Sequence, residues 1–154
     1  MAVQMIPKEK MTEMAGHKFE PSEWMTIEQD RIDTFADCTE DHQFIHVDAE
    51  KAAQTPFGTT VAHGFLTLSM LTRLMENTGF YPEGIVMGLN YGCDKVRFLT
   101  PVKSGARIRA CAEVLSVDKK DDNRFLIKQN ITVEIEGEEK PALIAEWLTM
   151  MITG

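Results

Sequence analysis

From His63 to Asn77 the chain reads HGFLTLSMLTRLMEN, and Gly79 follows. Wound as a helix, this segment is apolar almost all round, and a glycine just past its end is a stop signal. A helix apolar on every side belongs in an interior rather than on a surface. At about four turns it is a single core helix. Whatever this chain folds into must wrap other elements around that segment.

The wrapping elements follow Pro82. The segments GIVMGLNYG, DKVRFLTPV, ARIRACAEVLSVD, RFLIKQNITVEIEG and PALIAEWLTMMI are rich in Val, Ile, Phe and Leu. Several alternate apolar with polar residues, as Val133-Glu134-Ile135-Glu136 does, and that period belongs to strands. Turn residues separate them at Asp118 to Asn123 and at Gly137-Glu138-Glu139. Short connections between consecutive strands require antiparallel pairing. One buried helix and one antiparallel sheet make an α+β fold with the sheet curled around the helix. Ahead of the core helix, Thr26-Ile27-Glu28-Gln29 has the form of a capping box. Ile27, Ile32, Phe35, Ala36 and Cys38 then share a face, which predicts a helix from Ile27 to Thr39. EDHQFIHVD has no clean period and reads as a loop. Asp48 can cap a short helix, AEKAAQ, and TPFGTT is loop again.

Composition bounds the function. A length of 154 residues with 44% hydrophobic and 26% charged side chains describes one globular domain. Residues 1–20 read as an N-terminal extension and 21–154 as the domain. The balance of 16 basic against 24 acidic residues gives −8. That charge disfavours nucleic acid and anionic membrane surfaces as partners. No apolar run is long enough to span a bilayer. The opening MAVQMIPKEKMTEM lacks an uninterrupted apolar stretch, so no secretory signal is expected. Cys38, Cys93 and Cys111 are far apart and form no C-x-x-C. They are expected to be reduced and buried, in a cytoplasmic protein.

The chemistry concentrates in DHQFIHVDAEKAAQTPFGTTVAHG, Asp41 to Gly64. It holds His42, His46 and His63 together with Asp41 and Asp48. A carboxylate beside a histidine is an acid/base pair that works near neutral pH. Asp41 and His46, five apart in a loop, can turn toward one point. Read on residue types alone, such a pair is also compatible with turn-forming or solvated groups. A metal site needs three or four convergent ligands, and His46-x-Asp48 lacks them, so no metal is expected. Gly58 and Gly64 flank an apolar turn that feeds the core helix. A helix N-terminus offers unpaired N–H groups and positive dipole, so Gly64 can receive a developing oxyanion. Gly64 is equally explained by close helix–sheet packing.

The order Asp41, His46-Val47-Asp48, Phe57-Gly58 and Ala62-His63-Gly64 resembles the MaoC-type (R)-specific enoyl-thioester hydratases. The flanks TPFGTTVAHGFLTLSML and NYGCDKVRF resemble their nodulation-protein-N-like branch, and the similarity runs from about Ser22 to near the C-terminus. The resemblance implies a hot-dog fold and the hydration of trans-2-enoyl coenzyme A thioesters to (R)-3-hydroxyacyl thioesters, or the reverse. It implies Asp41 and His46 as catalytic dyad and the Gly64 N–H as oxyanion donor. It places a hydroxyl supporting the Asp at Thr72, and puts Phe57, Gly58 and His63 in the substrate-binding set. No cofactor is implied beyond the coenzyme A of the substrate; an acyl carrier protein can carry the same thioester. A homodimer, or an oligomer built of dimers, is expected, because an exposed sheet edge invites pairing. Departures exist: many members carry Gly where this chain has Glu40, and Asn where it has Asp94. Gln43-Phe44 replaces the common Asn-Pro and fits the branch.

Two other functions share the fold. A hot-dog thioesterase usually draws a carboxylate from the central helix, where the only acid is Glu76, near its end. A non-catalytic acyl-thioester binding module would not need the intact Asp41, His46 and Gly64 set. Lys95, Arg97, Lys103, Arg107 and Arg109 form a basic run without an acid, suited either to coenzyme A phosphates or to a solvated strand face.

Overall fold

The computed structural model describes residues 3–154. In chain order it has β1 (Gln4–Ile6), a 3-10 helix (Lys8–Met14), β2 (Met25–Thr26), α1 (Gln29–Thr39), α2 (Phe44–Val47), α3 (Ala49–Ala53), α4 (Gly64–Ser69), α5 (Leu71–Leu74), β3 (Phe80–Pro82), β4 (Ile85–Phe98), β5 (Arg107–Lys119), β6 (Arg124–Ile135) and β7 (Leu143–Thr153). The antiparallel sheet runs β2-β5-β6-β7-β4. Strand alternation does the sorting: Ile131, Val133 and Ile135 face inward from β6, while Thr132 and Glu134 are less buried. Ala110, Ala112 and Ala145 keep the inner face shallow, so α4 and α5 can lie against it. Leu66, Met70, Leu71, Leu74 and Met75 pack there on Ile108, Ile131, Val133 and Leu143. Each such side chain, fully buried, contributes roughly 1.5–3 kcal/mol over its exposed state. The result is the expected α+β hot-dog fold.

The central helix differs from expectation in two ways. It breaks into α4 and α5 at Met70, whose N–H is shared between the Leu66 and Thr67 carbonyls at 3.0 and 3.2 Å. It ends at Leu74, short of Asn77, and the Thr78 N–H turns back to the Met75 carbonyl. It is also not enclosed on every side. The sheet covers one face and leaves Phe65, Ser69, Thr72 and Arg73 exposed.

Other differences have local causes. The expected capping box does not form, because the Ile27 N–H and C=O are taken by Ala106 and Gly105 in strand-like pairing, and α1 starts at Gln29. The Phe44–Val47 stretch, expected as loop, closes one helical turn. Two expected strands merge into the 14-residue β4, whose irregularities are absorbed by register shifts against β7. The cysteines are not buried: Cys38 and Cys93 are exposed and Cys111 half-buried. Cys93 sits on the edge strand, and Cys111 lies between the inward Ala110 and Ala112. Of the 1–20 extension, residues 1 and 2 lie outside the described residues. The rest is integrated: β1 pairs with β3, and Ile6 and Met11 join Phe80, Val114, Phe125, Ile127 and Met151 in a second core cluster.

Candidate active site

The segment between α1 and α4 folds over the head of the central helix. α1 ends on Glu40 in the left-handed conformation (φ 59°). That geometry suits glycine, which is what many MaoC-type members carry at this point. The turn delivers Asp41, whose carboxylate accepts a long 3.4 Å bond from the Gln43 N–H and is otherwise exposed. One residue turn later, α2 carries His46 inward. Its ring is 7% exposed and lines a cavity of about 200 Å³ with Phe57, Val61, Gly64, Thr67 and Phe98.

Three contacts define the His46 ring. Nδ1 lies 2.6 Å from the Val61 carbonyl. A carbonyl can only accept, so Nδ1 carries the proton and Nε2 is left as the free acceptor. Burial is the main influence on its pKa and lowers it, and His63 adds to the lowering; the Val61 carbonyl and Asp41 oppose both. The balance favours a neutral imidazole with a basic Nε2. The His63 ring stacks on it at 3.8 Å.

His63 is 3% exposed, and its Nε2 bonds the Asp41 backbone carbonyl at 3.0 Å. It therefore ties the head of α4 to the Asp41 turn. Its Nδ1 is buried with no hydrogen-bond partner among the described residues. Asp41, His46 and His63 place ligand-type atoms within 4.8 Å of one another. Imidazole lone pairs lie in the ring plane, and the two rings are inclined by only 24°. Stacked rings aim past one another rather than at a shared ion, so the arrangement suits proton handling better than metal coordination.

The other anticipated residues divide. Phe57 and Gly64 border the cavity with His46. Gly58 does not line it; with φ 71° it closes the turn in which its N–H reaches the Thr55 carbonyl. Gly64 opens α4, which no side chain caps. The ring of Phe98 occupies the space a Cβ at Gly64 would need, 2.9–3.0 Å away. Thr72 is exposed on α5 and borders a separate groove with Asn90, Tyr91, Cys93 and Trp147. Among the described residues it makes no side-chain hydrogen bond to Asp41. Asp48 caps α3 by accepting from the Lys51 N–H and pairs with the Lys51 ammonium, a structural role.

Sequence reasoning missed Thr60, Val61 and Phe98, and it gave Gln29 the wrong task. Gln29 reaches across to the His46 carbonyl instead of capping its own helix. The basic run is mostly neutralised. Lys95 pairs with Glu146, Arg107 with Glu136 and Arg109 with Glu134. Only Arg97 and Lys103 of the run lack an acidic partner among the described residues. Asp94, found where Asn was expected, pairs with Lys128.

The MaoC like domain family matches residues 10–136. A 3-hydroxyacyl-thioester dehydratase Z of Mycobacterium tuberculosis is 46% identical over 132 residues, covering 86% of this chain and 87% of its own. Nodulation protein N of Rhizobium leguminosarum is 47% identical over 137 residues, covering 88% and 85%. Among solved structures, an unliganded R-hydratase of Pseudomonas aeruginosa superposes with TM-score 0.71 at 24% identity, over 99% of this chain and 89% of the other.

Proposed function

Because this chain belongs to the MaoC-like dehydratase family and is a hydro-lyase, we propose that it adds water to trans-2-enoyl thioesters of coenzyme A, or of an acyl carrier protein, to give (R)-3-hydroxyacyl thioesters, and runs the reverse dehydration. The observation that carries the reading is the buried His46 ring, fixed with Nε2 free, beside Asp41 at the head of the central helix.

In the hydration direction, one water sits between Asp41 and His46. Its oxygen bonds to C3 as one proton passes to His46 Nε2. The C2=C3 π electrons move toward the thioester oxygen, and the Gly64 N–H at the positive end of α4 receives that charge. The proton is returned to C2 by the imidazolium, directly or through Asp41. Hydroxyl ends on C3, hydrogen on C2, and the thioester stays intact. The step calls for no metal or redox cofactor. Within the basic run, Arg97 and Lys103 are the cations free among the described residues to meet the coenzyme's phosphates.

The apolar Phe57, Val61 and Phe98 around His46 suit an acyl chain rather than a polar substrate. The site works in a homodimer, in which a second copy pairs along the exposed β4 edge. Chiral analysis of the product from a trans-2-enoyl-CoA tests the proposal. The (R)-alcohol is expected; the (S)-alcohol or a racemate would contradict it.

A further inference from the structure

The Gln29 side chain sits behind the site, and every hydrogen-bonding atom of its amide is used. Its Nε2 donates to the His46 carbonyl and to Asp33 Oδ1, both at 2.8 Å. Its Oε1 accepts from the Thr60 hydroxyl at 2.6 Å. The two acceptors on one side fix the amide's orientation, because a flipped amide would aim oxygen at a carboxylate and a carbonyl.

Those partners are the two ends of the His46 mounting. The His46 carbonyl belongs to the backbone that carries the ring. Thr60 immediately precedes Val61, whose carbonyl holds the ring's Nδ1. The Val61 N–H returns to the Ile45 carbonyl at 3.0 Å, which closes the frame. Neither Gln29 nor Thr60 borders the cavity, so neither touches a substrate held there.

We infer that Gln29, latched by Thr60, is the positioning residue that holds His46 at its working place and orientation. The inference rests on the dyad reading above. A hydrogen-bonded brace of this kind matters because misplacing a reacting group by about 1 Å can cost on the order of 100-fold in rate.

Gln29→Glu keeps the shape and the acceptor for Thr60, but sets a carboxylate against Asp33 and the His46 carbonyl. Thr60→Val removes only the latch, and Thr60→Ser keeps it. The titratable groups facing His46 are Asp41 from the preceding turn and His63 from the head of α4; Asp33 on α1 faces Gln29. All are retained in the variants. Loosening the frame admits water to the ring and relieves the burial that depresses its proton affinity. The His46 titration, followed by NMR of ring-labelled protein, should therefore move upward in Thr60→Val, which adds no charge; in Gln29→Glu the new carboxylate raises it as well, so Thr60→Val carries the titration test. Turnover should fall on the order of 10- to 100-fold, with KM changed less than about threefold, and Thr60→Ser should behave as the parent. A merely structural role would lower thermal stability without moving the titration of the folded protein. A folded Thr60→Val whose His46 titration and kcat match the parent, or a folded Gln29→Glu with the parent's kcat, would overturn the inference. If His46→Gln itself kept full activity, the dyad reading would fall instead, while the titration still decides what Gln29 does.

Discussion

Adding one methyl group at Gly64 separates the two explanations for this glycine. A Cβ there would meet Phe98 at Cγ, Cδ1 and Cδ2 at 2.9–3.0 Å, where ordinary contact is 3.4–4 Å. The ring must retreat by about half an ångström or more. It is able to move, being 45% exposed and in edge contact with the surface ring of Phe65, 67% exposed. Overpacking of this kind typically costs about 1–3 kcal/mol. Replacing Gly with Ala at a compatible backbone returns about 0.4–1 kcal/mol through the unfolded chain. At mid-range values Gly64→Ala should therefore lose about 1.3 kcal/mol net. Phe98→Leu makes room, so the double variant should recover at least 1 kcal/mol of that loss, which appears as coupling in a four-protein denaturation cycle. Activity then discriminates. If the space above Gly64 also admits the thioester oxygen, the double variant regains stability but stays catalytically impaired. Full recovery of both would leave Gly64 a packing residue only. A Gly64→Ala protein as stable as the parent, with no coupling to Phe98, would refute the packing argument altogether.

Three further outcomes are expected. Asp41→Asn and His46→Gln should each lower turnover about 10²–10⁴-fold and combine far from additively. His46→Gln should also cost about 1–2 kcal/mol in a melt, because the Val61 carbonyl is left poorly satisfied; His42→Gln, which breaks only a surface contact to Asp37, should be near silent, and equal damage from it would move the chemistry elsewhere. Since burial lowers the His46 pKa, kcat/KM for hydration should climb with pH with its midpoint below the ordinary histidine value of about 6.5. The unfolded chain binds this proton at higher pH than the folded one, so stability should fall as pH drops from about 6.5 to the folded value and then level off; a pH-independent His46→Gln difference would contradict the assignment. Sedimentation should show at least a dimer, because β4 is a long edge strand exposing Val86, Leu89 and Tyr91; an active monomer at assay concentration would defeat it.

How far the sequence could be read depended on the range of the forces involved. Alternation in β6 and the apolar run after His63 are local signals, and they placed the sheet and the helix, although the helix ends at Leu74, ahead of the Gly79 stop. The break at Met70 was invisible because it arises from a shared backbone bond in an otherwise good helical sequence. Thr26-Ile27-Glu28-Gln29 satisfied a local rule, yet Ile27 pairs with Gly105 and Ala106 far along the chain, and tertiary pairing prevailed. The same event freed Gln29 to brace His46, a role that no spacing in the sequence announces. That Asp41 and His46 come together was legible because their order and spacing form a motif. Thr72 came from positional resemblance alone, and its side chain faces away from the cavity that holds His46. The burial of His46 and His63 was likewise hidden, since it depends on a loop folding over the helix head.

A hydro-lyase leaves the thioester intact at the end of the reaction. Crotonyl-CoA incubated with the protein, followed by enone absorbance and free thiol in the same sample, tests this most directly. Loss of the enone without thiol release is expected, slowed about 10²–10⁴-fold in Asp41→Asn and in His46→Gln. Thiol appearing as fast as the substrate disappears would make the protein a thioesterase, and no reaction with any enoyl thioester would make it a binding module.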